Sequence, residues 1–549
     1  MFRSFFNAPA DRRGWLALLC LAYLLPGMVG HDPWKPDEAY IFGSVDEMLR
    51  SGDWVVLKIG GEPFVEKPPL FHMLAALLAK LGSPLLPWHD AARLASSVFA
   101  AMSLLAVAFA SRLAWGQGFG RQALLLSLAC LGLLVHAHMM LPDLPLMAGI
   151  SLALAGFAAA ARGRPGAGVL VGLGTGIGFL GKGLIAPGVI GITALALPAC
   201  FAEWRQRGYL RFLLLAALSA APLLLIWPLA LYLRSPDLFG VWFWDNNVGR
   251  FLGFSVAHLG AGHEPGFLWQ TYPWFLFPGG LFALVALAQA GRRGWHLPGV
   301  QIGATFLVVM GTVLGVSASA RAVYLLPMIP AVALLGAGAA TRVPAWLDRL
   351  LGALGGVLGL GALVLFWPVW GLLLADGQAP AWPWLLHWLP ATFAMPFSLP
   401  AVTAAAALTL GIVPVIVRQL GRAGNGLLIW VLSLTLAWGL AATLWLPWVD
   451  AARSYRAVFE SLAAALPRDA GCVASRNLGE SERAMLDYFA HLRTRRVEIV
   501  DASSCPLFLV QSRVDVYPPG PEAWTLVWSG ARAGDCRESF QLYRAPPGS

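Results

Sequence analysis

The sequence predicts an all-α polytopic membrane protein of about thirteen transmembrane helices, followed by a small C-terminal α/β domain. Three observations predict it. Of the 549 residues, 58% are apolar and 12% charged, against roughly 45–50% (counted with Gly) and about a quarter in soluble domains. The apolar residues come in unbroken runs rather than in alternation, which excludes a β-barrel along with a soluble enzyme, a disordered chain and a disulfide scaffold. Beyond Asp450 the composition changes sharply and the apolar runs stop. The net charge of +9 belongs with Lys and Arg in cytoplasmic loops, not with nucleic acid.

The N-terminal run has Arg12 and Arg13 ahead of an apolar stretch, as a signal peptide does. No A-x-A-like site follows, so Trp15–Val29 reads as an uncleaved first helix with its basic flank in the cytoplasm. The spans that follow are Ala92–Ala114, Arg121–Leu141, Pro145–Ala161, Gly166–Leu180, Leu184–Phe201, Leu210–Leu233, Trp269–Ala288, Gly299–Val316, Val323–Ala339, Leu350–Ala375, Pro396–Val417 and Gly426–Leu446. They lie near the ~20 residues that cross a hydrocarbon core. Pro68–Leu81 is too short for that and reads as a re-entrant or interfacial helix.

Arginine tests the count. If Pro68–Leu81 does not cross, the inside loops collect Arg112 and Arg121, Arg162 and Arg164, Arg205, Arg207 and Arg211, Arg292 and Arg293, Arg342 and Arg349, and Arg418 and Arg422. That is the positive-inside pattern; counting Pro68–Leu81 as a span would put most of these outside. The expectation is a multi-pass protein of a bacterial inner membrane with its N-terminus cytoplasmic. Residues 1–449 form the membrane domain, with periplasmic loops 31–68 and 235–268, and residues 450–549 form a periplasmic domain. In that tail a helix, Glu480–Leu492, stands among strand-like runs at Val497–Val500, Leu507–Val510, Trp524–Trp528 and Phe540–Tyr543. Its cysteines, Cys472, Cys505 and Cys536, allow one disulfide in an oxidising compartment, with the pairing open. No Cys/His spacing marks a structural zinc.

Ionisable residues at membrane depth are functional suspects, and here they gather on the outer side. Asp37 and Glu38 directly follow the first helix. The stretch Tyr40–Arg50 puts Ile41, Val45, Met48 and Leu49 on one face, as in a helix lying in the interface. Glu66 and Lys67 precede Pro68–Leu81. Adjacent carboxylates beside a cation suit acid/base work or metal binding on an anionic substrate, although Asp37 and Glu38 alone read equally well as a solvated helix cap. Asp143 sits between two spans with no loop to solvate it. Lys182 stands in a glycine-rich break, where it either meets an anion or reaches for the interface. Arg321 and Tyr324 open another outer corner, and the loop before Trp269 adds Asp245, Arg250, His258, His263 and Glu264. Neither the inverted repeats of a transporter nor the polar rings of a channel are visible. A membrane enzyme acting on a lipid-linked anion fits better.

At these residues the chain resembles a known group. DE after the first helix, EKPP before a short segment, LPD at a later corner, the GKG break, GRF followed by His, and R-x-x-Y-L-L-P recur in the order seen in the GT-C glycosyltransferases of the protein mannosyltransferase and aminoarabinose (lipid A) transferase type. The resemblance covers the whole membrane region and the plan of a periplasmic tail. It implies transfer of a sugar from a polyprenyl (undecaprenyl) phosphate donor on the outer face. The acceptor would be lipid A or another envelope glycolipid, with a protein Ser/Thr as the alternative. It also implies roles: Asp37, Glu38 and Asp143 as catalytic carboxylates; Lys67, Lys182, Arg250, Arg321 and Tyr324 on the donor phosphate; and Glu66 with His258 or His263 on a divalent metal such as Zn, Mg or Mn. The opposing class is a non-enzymatic transporter or flippase that uses the same cavity for binding alone.

Overall fold

A computed structural model describes residues 11–546 except 261, 263–265, 340–341, 376–392, 468–470, 503, 514–523 and 535–536. Among these residues seven helices are long and apolar enough to cross a membrane: Trp88–Trp115, Asp143–Ala160, Tyr209–Arg234, Pro298–Val316, Ala345–Ala375, Leu399–Gln419 and Gly426–Leu444. The pair Phe267–Phe275 and Gly279–Ala290, bent by 89°, supplies an eighth if it acts as one span. The chain is a mostly helical, multi-pass membrane protein with a small C-terminal sheet domain.

Several runs that read as single spans are broken. Arg121–Leu141 divides into Phe119–Ala129 and Leu131–His136 at Cys130, where the backbone is extended (φ −67°, ψ 123°). Trp269–Ala288 bends at Pro278, which has no N–H to continue the helical ladder. Val323–Ala339 opens with a tight 3-10 turn, Ala322–Met328, before the helix Ile329–Ala337. The short helix expected at Pro68–Leu81 is present as Leu70–Gly82.

Glycine sets the closest helix packing. In Ala167–Lys182, Gly174 and Gly178 face Asp143–Ala160, while Gly168, Gly172 and Gly176 face Tyr209–Arg234. A Cβ on Gly174 would stand 2.4 Å from the Gly149 carbonyl oxygen, so no larger residue permits this approach. Small residues spaced in this way let membrane helices meet backbone to backbone. The contact brings Lys182, the last residue of one helix, to Asp143, the first residue of its neighbour.

The helix expected to lie in the interface is covered by the tail. Asp37–Ser51 is buried throughout Asp37 to Met48, because the tail covers its polar face. Helix Glu480–Ala490 packs across it so closely that a Cβ on Gly43 would stand 2.4 Å from the Ala484 Cβ. Ion pairs surround the contact: Arg50 to Asp487 at 2.8 Å, Arg493 to Glu47 at 2.6 Å and Arg483 to Glu62 at 2.6 Å.

Strands β1 (Lys58–Ile59) and β2 (Glu62–Pro63) pair with each other in the first loop, and the tail sheet has the order β4-β3-β5-β7-β6. β3 (Val473–Arg476) is parallel to β4 (Arg495–Arg496) and β5 (Leu507–Ser512), while β7 (Ser539–Arg544) is antiparallel to β5 and β6 (Thr525–Gly530). Three expected strands and the helix are present. Val497–Val500 is instead a turn after β4, and β3 and β4 are additional. Cys472 and Cys505 form the disulfide; Cys536 lies outside the described residues.

Candidate active site

The polar corners converge on one cavity of about 490 Å³. Membrane-side elements contribute Asp37, Tyr40, Glu66, Lys67, Asp143, Lys182, Arg250, Arg321 and Tyr324, and the tail contributes Asn477, Glu480, Glu482 and Gln511. An apolar groove of about 420 Å³ runs into it between Leu184–Ile192, Val248–Leu252 and Val313–Leu314. The two share Glu66, Lys67, Lys182, Arg250 and Tyr324.

Asp37 begins its helix and turns into the cavity. Its carboxylate accepts from Arg321 Nη1 at 3.0 Å and Nη2 at 2.9 Å, and from the Tyr40 hydroxyl at 3.0 Å. Burial pushes its pKa up, but Arg321 and Lys67 overcome this and hold it below the ordinary carboxylate value. Lys67 donates to the Tyr40 hydroxyl at 3.0 Å and lies 3.7 Å from Glu66. Burial works against its charge, but Glu66 outweighs that and keeps the ammonium well above its ordinary value. Glu66 accepts from Arg250 Nη1. Burial raises its carboxyl, while Lys67 and Arg250 bring it down to about 2. Lys182 does not reach out to the interface: it pairs with Asp143 and sits 3.8 Å from the centroid of the Tyr324 ring.

Glu38 is not in the cavity. Successive residues of a helix point about 100° apart, and Glu38 faces the interior, where it is 0% exposed. There it accepts from Arg93 Nε at 2.7 Å and from the Trp34 N–H at 3.2 Å. Arg93, also 0% exposed, pairs in addition with Asp90 at 2.8 Å. This buried network ties the first loop to helix Trp88–Trp115.

Of the expected metal ligands, Glu66 is committed to Arg250 and Lys67. His263 and the His258 side chain lie outside the described residues. Among the described residues no three His, Cys, Asp or Glu side chains gather as a metal set requires.

Sequence reasoning missed Tyr40, Arg93 and the tail residues on the cavity wall. Arg93, an arginine inside a predicted span, was a readable signal, since such a charge must find a partner. Tyr40 and Glu480 carried none.

No family model matches the chain. It is 30% identical over 388 residues to the undecaprenyl phosphate-alpha-4-amino-4-deoxy-L-arabinose arabinosyl transferase of Edwardsiella ictaluri, covering 65% of this chain and 66% of that protein. It is 28% identical over 333 residues to the protein of the same description from Pseudomonas savastanoi pv. phaseolicola, covering 59% and 60%. The chain thus spans about 60–66% of the length of these curated relatives. Its fold matches that of ArnT from Cupriavidus metallidurans bound to undecaprenyl phosphate, with a TM-score of 0.70 at 18% identity over 96% of this chain and 98% of that one. The same protein in its apo state matches with a TM-score of 0.65. By sequence and by fold, the chain is a relative of the undecaprenyl phosphate-aminoarabinose arabinosyl transferases and shares their GT-C architecture.

Proposed function

We propose that the chain is a glycosyltransferase that moves a sugar from undecaprenyl phosphate to lipid A or another envelope glycolipid on the periplasmic side of a bacterial inner membrane. The observation that carries this reading is the junction of the apolar groove with the cationic end of the polar cavity at Lys67, Lys182 and Arg250. A long apolar chain ending in a phosphate-linked sugar has that same order of character. The names of the relatives and the lipid in the Cupriavidus structure point the same way. The reading takes residues 1–449 as the membrane domain, with about thirteen crossings and the N-terminus inside, and residues 450–549 as the periplasmic domain. The one-sided arginine pairs support it.

In the transfer the C1–O bond to the donor phosphate breaks and negative charge gathers on the leaving phosphate. Lys67 and Arg250 meet that charge electrostatically in a site preorganised by Glu66 and Tyr40. Asp37, held low and gripped by Arg321, is a poor proton acceptor. A hydroxyl acceptor needs a base; a phosphate of lipid A, already ionised, does not. Asp37 therefore positions Arg321 and Tyr40.

A divalent metal would require Glu66 to leave its pair with Arg250, so the described residues do not fit a metal centre and no step runs through one. Transfer that survives a chelator supports this. Loss that Zn, Mg or Mn restores would return Glu66 to a metal.

The test is purified protein with a synthetic undecaprenyl phosphate sugar and lipid A. Release of undecaprenyl phosphate with a matching mass gain on lipid A is expected. Donor binding without release would leave a carrier or flippase.

A further inference from the structure

At the far end of helix Trp88–Trp115 from the polar cavity, a further cavity of about 900 Å³ lies among that helix, Asp11–Leu24 and Phe119–Ala129. Its body is leucine: Leu16, Leu21 and Leu24 on one helix face Leu104, Leu105 and Leu124 on the others. Leu21 and Leu105 are exposed, so it opens sideways into the bilayer. Its polar end holds Arg112, Gln117 and Arg121. Two glycines build that end. Gly118 turns the chain between the helices at φ 98°. A Cβ on Gly120 would stand 2.6 Å from the Ala108 carbonyl oxygen and 2.8 Å from Arg112 Cγ, so the arginine stem lies across the bare glycine. The Arg112 guanidinium makes one hydrogen bond among the described residues, donating from Nη2 to Gln117 Oε1 at 3.4 Å. In the polar cavity Arg321, Arg250 and Lys182 each have an acid. Here two guanidiniums line the cavity, and among the described residues no carboxylate does.

Two cations without an acid, at the end of an apolar slot, match an anion carried on hydrocarbon. The length agrees. From Ala101 to Arg112 the helix rises about 16 Å at roughly 1.5 Å per residue, about half of a ~30 Å hydrocarbon core and so the depth of one leaflet. The volume is about twice the 420 Å³ of the apolar groove at the polar cavity, which is room for two chains rather than one. We infer that this cavity binds an anionic diacyl phospholipid of the cytoplasmic leaflet, with its phosphate on Arg112 and Arg121 and its acyl chains along the leucines. A zwitterionic headgroup would bring an ammonium to two guanidiniums with no carboxylate to meet it. The leaflet alone is taken from the orientation proposed above.

The experiment mixes delipidated full-length protein in detergent with phosphatidylglycerol and phosphatidylethanolamine of identical chains and reads retained lipid by native mass spectrometry. Preferential retention of phosphatidylglycerol is expected. Arg112→Gln with Arg121→Gln should weaken that retention by about tenfold or more, the scale of hydrogen bonds to a charged group. Arg418→Gln with Arg422→Gln, an equal loss of charge at another inner loop, should leave it unchanged. Wild type alone gives a second readout should the first double variant fail to fold: phosphatidylglycerol with a photoreactive acyl chain is expected to crosslink within residues 16–24 and 101–124. Equal retention of the two lipids, the behaviour of ordinary boundary lipid, overturns the inference. So do crosslinks confined to other helices, or an equal loss in both double variants, which would report net charge alone. Displacement of phosphatidylglycerol by undecaprenyl phosphate at equal concentration would make this a polyprenyl site instead and overturn it too. None of these readouts depends on sugar transfer, so failure of the proposed function leaves them standing.

Discussion

Arg321 grips the Asp37 carboxylate with both terminal nitrogens, at 3.0 and 2.9 Å, across 284 residues of chain. The pair joins the loop after the first helix to the turn that precedes the helix Ile329–Ala337, and it stands on the cavity wall. A planar guanidinium on a carboxylate fixes direction as well as charge. Asp37→Asn keeps the shape, removes the charge and releases Arg321 into the cavity. Transfer should fall about a hundredfold, as when positioning is lost at a reacting centre. The melting temperature should change little, because Arg321 is 40% exposed and such pairs add little stability. Full transfer by Asp37→Asn would remove this residue from the site.

Lys67 is the cavity's least committed cation. Lys67→Ala should raise the donor KM and also lower kcat, since a phosphate contact acts in both the ground and transition states. Steady-state kinetics with the synthetic donor measures both. Unchanged constants would leave Arg250 and Lys182 as the phosphate's only partners.

Glu38 should behave as the opposite of its neighbour. Glu38→Gln leaves Arg93 buried with only Asp90 for charge, and breaking a buried pair on one side costs on the order of 3–5 kcal/mol. A lower melting temperature and poorer yield are expected, with transfer per folded molecule close to wild type. Normal stability with abolished transfer would place Glu38 in the chemistry after all.

That the polar corners belong together was the most legible feature of the sequence. Arginine counting puts Asp37, Lys67, Asp143, Lys182, Arg250 and Arg321 on one side, and one cavity gathers all of them. Spans were less legible where a break depends on a remote contact: Gly132, just after the interruption at Cys130, lies against Phe275 of another helix. The helix Asp37–Ser51 looked amphipathic because its polar face meets the tail rather than water, and no local pattern distinguishes the two. Glu38 and Asp37 look alike in the chain; only the rotation of the helix sends one to the cavity and the other to Arg93. Glu480 could not be placed from its own segment, because the cavity wall it forms requires the docking of a domain more than 400 residues away from Asp37 in sequence.

The junction between first loop and tail should also respond to pH through Asp450. Its carboxylate accepts from the Asp32 N–H at 3.0 Å and from Trp34 Nε1 at 2.8 Å. Burial, and then the negative charge of Asp32, raises its pKa to about 6. A carboxyl whose folded value is raised favours the folded state while it is protonated, so its contribution is full below the unfolded value near 4 and is lost as pH climbs through about 6. The loss is at most about 3 kcal/mol for a shift of this size. Asp450→Asn keeps an oxygen to accept both hydrogen bonds and removes the charge. It should melt several degrees above wild type at pH 8 and no higher than wild type at pH 4, as measured by thermal unfolding in detergent. A difference independent of pH would mean that Asp450 acts through packing, and a destabilised Asp450→Asn at pH 8 would mean that its charge is needed where it stands.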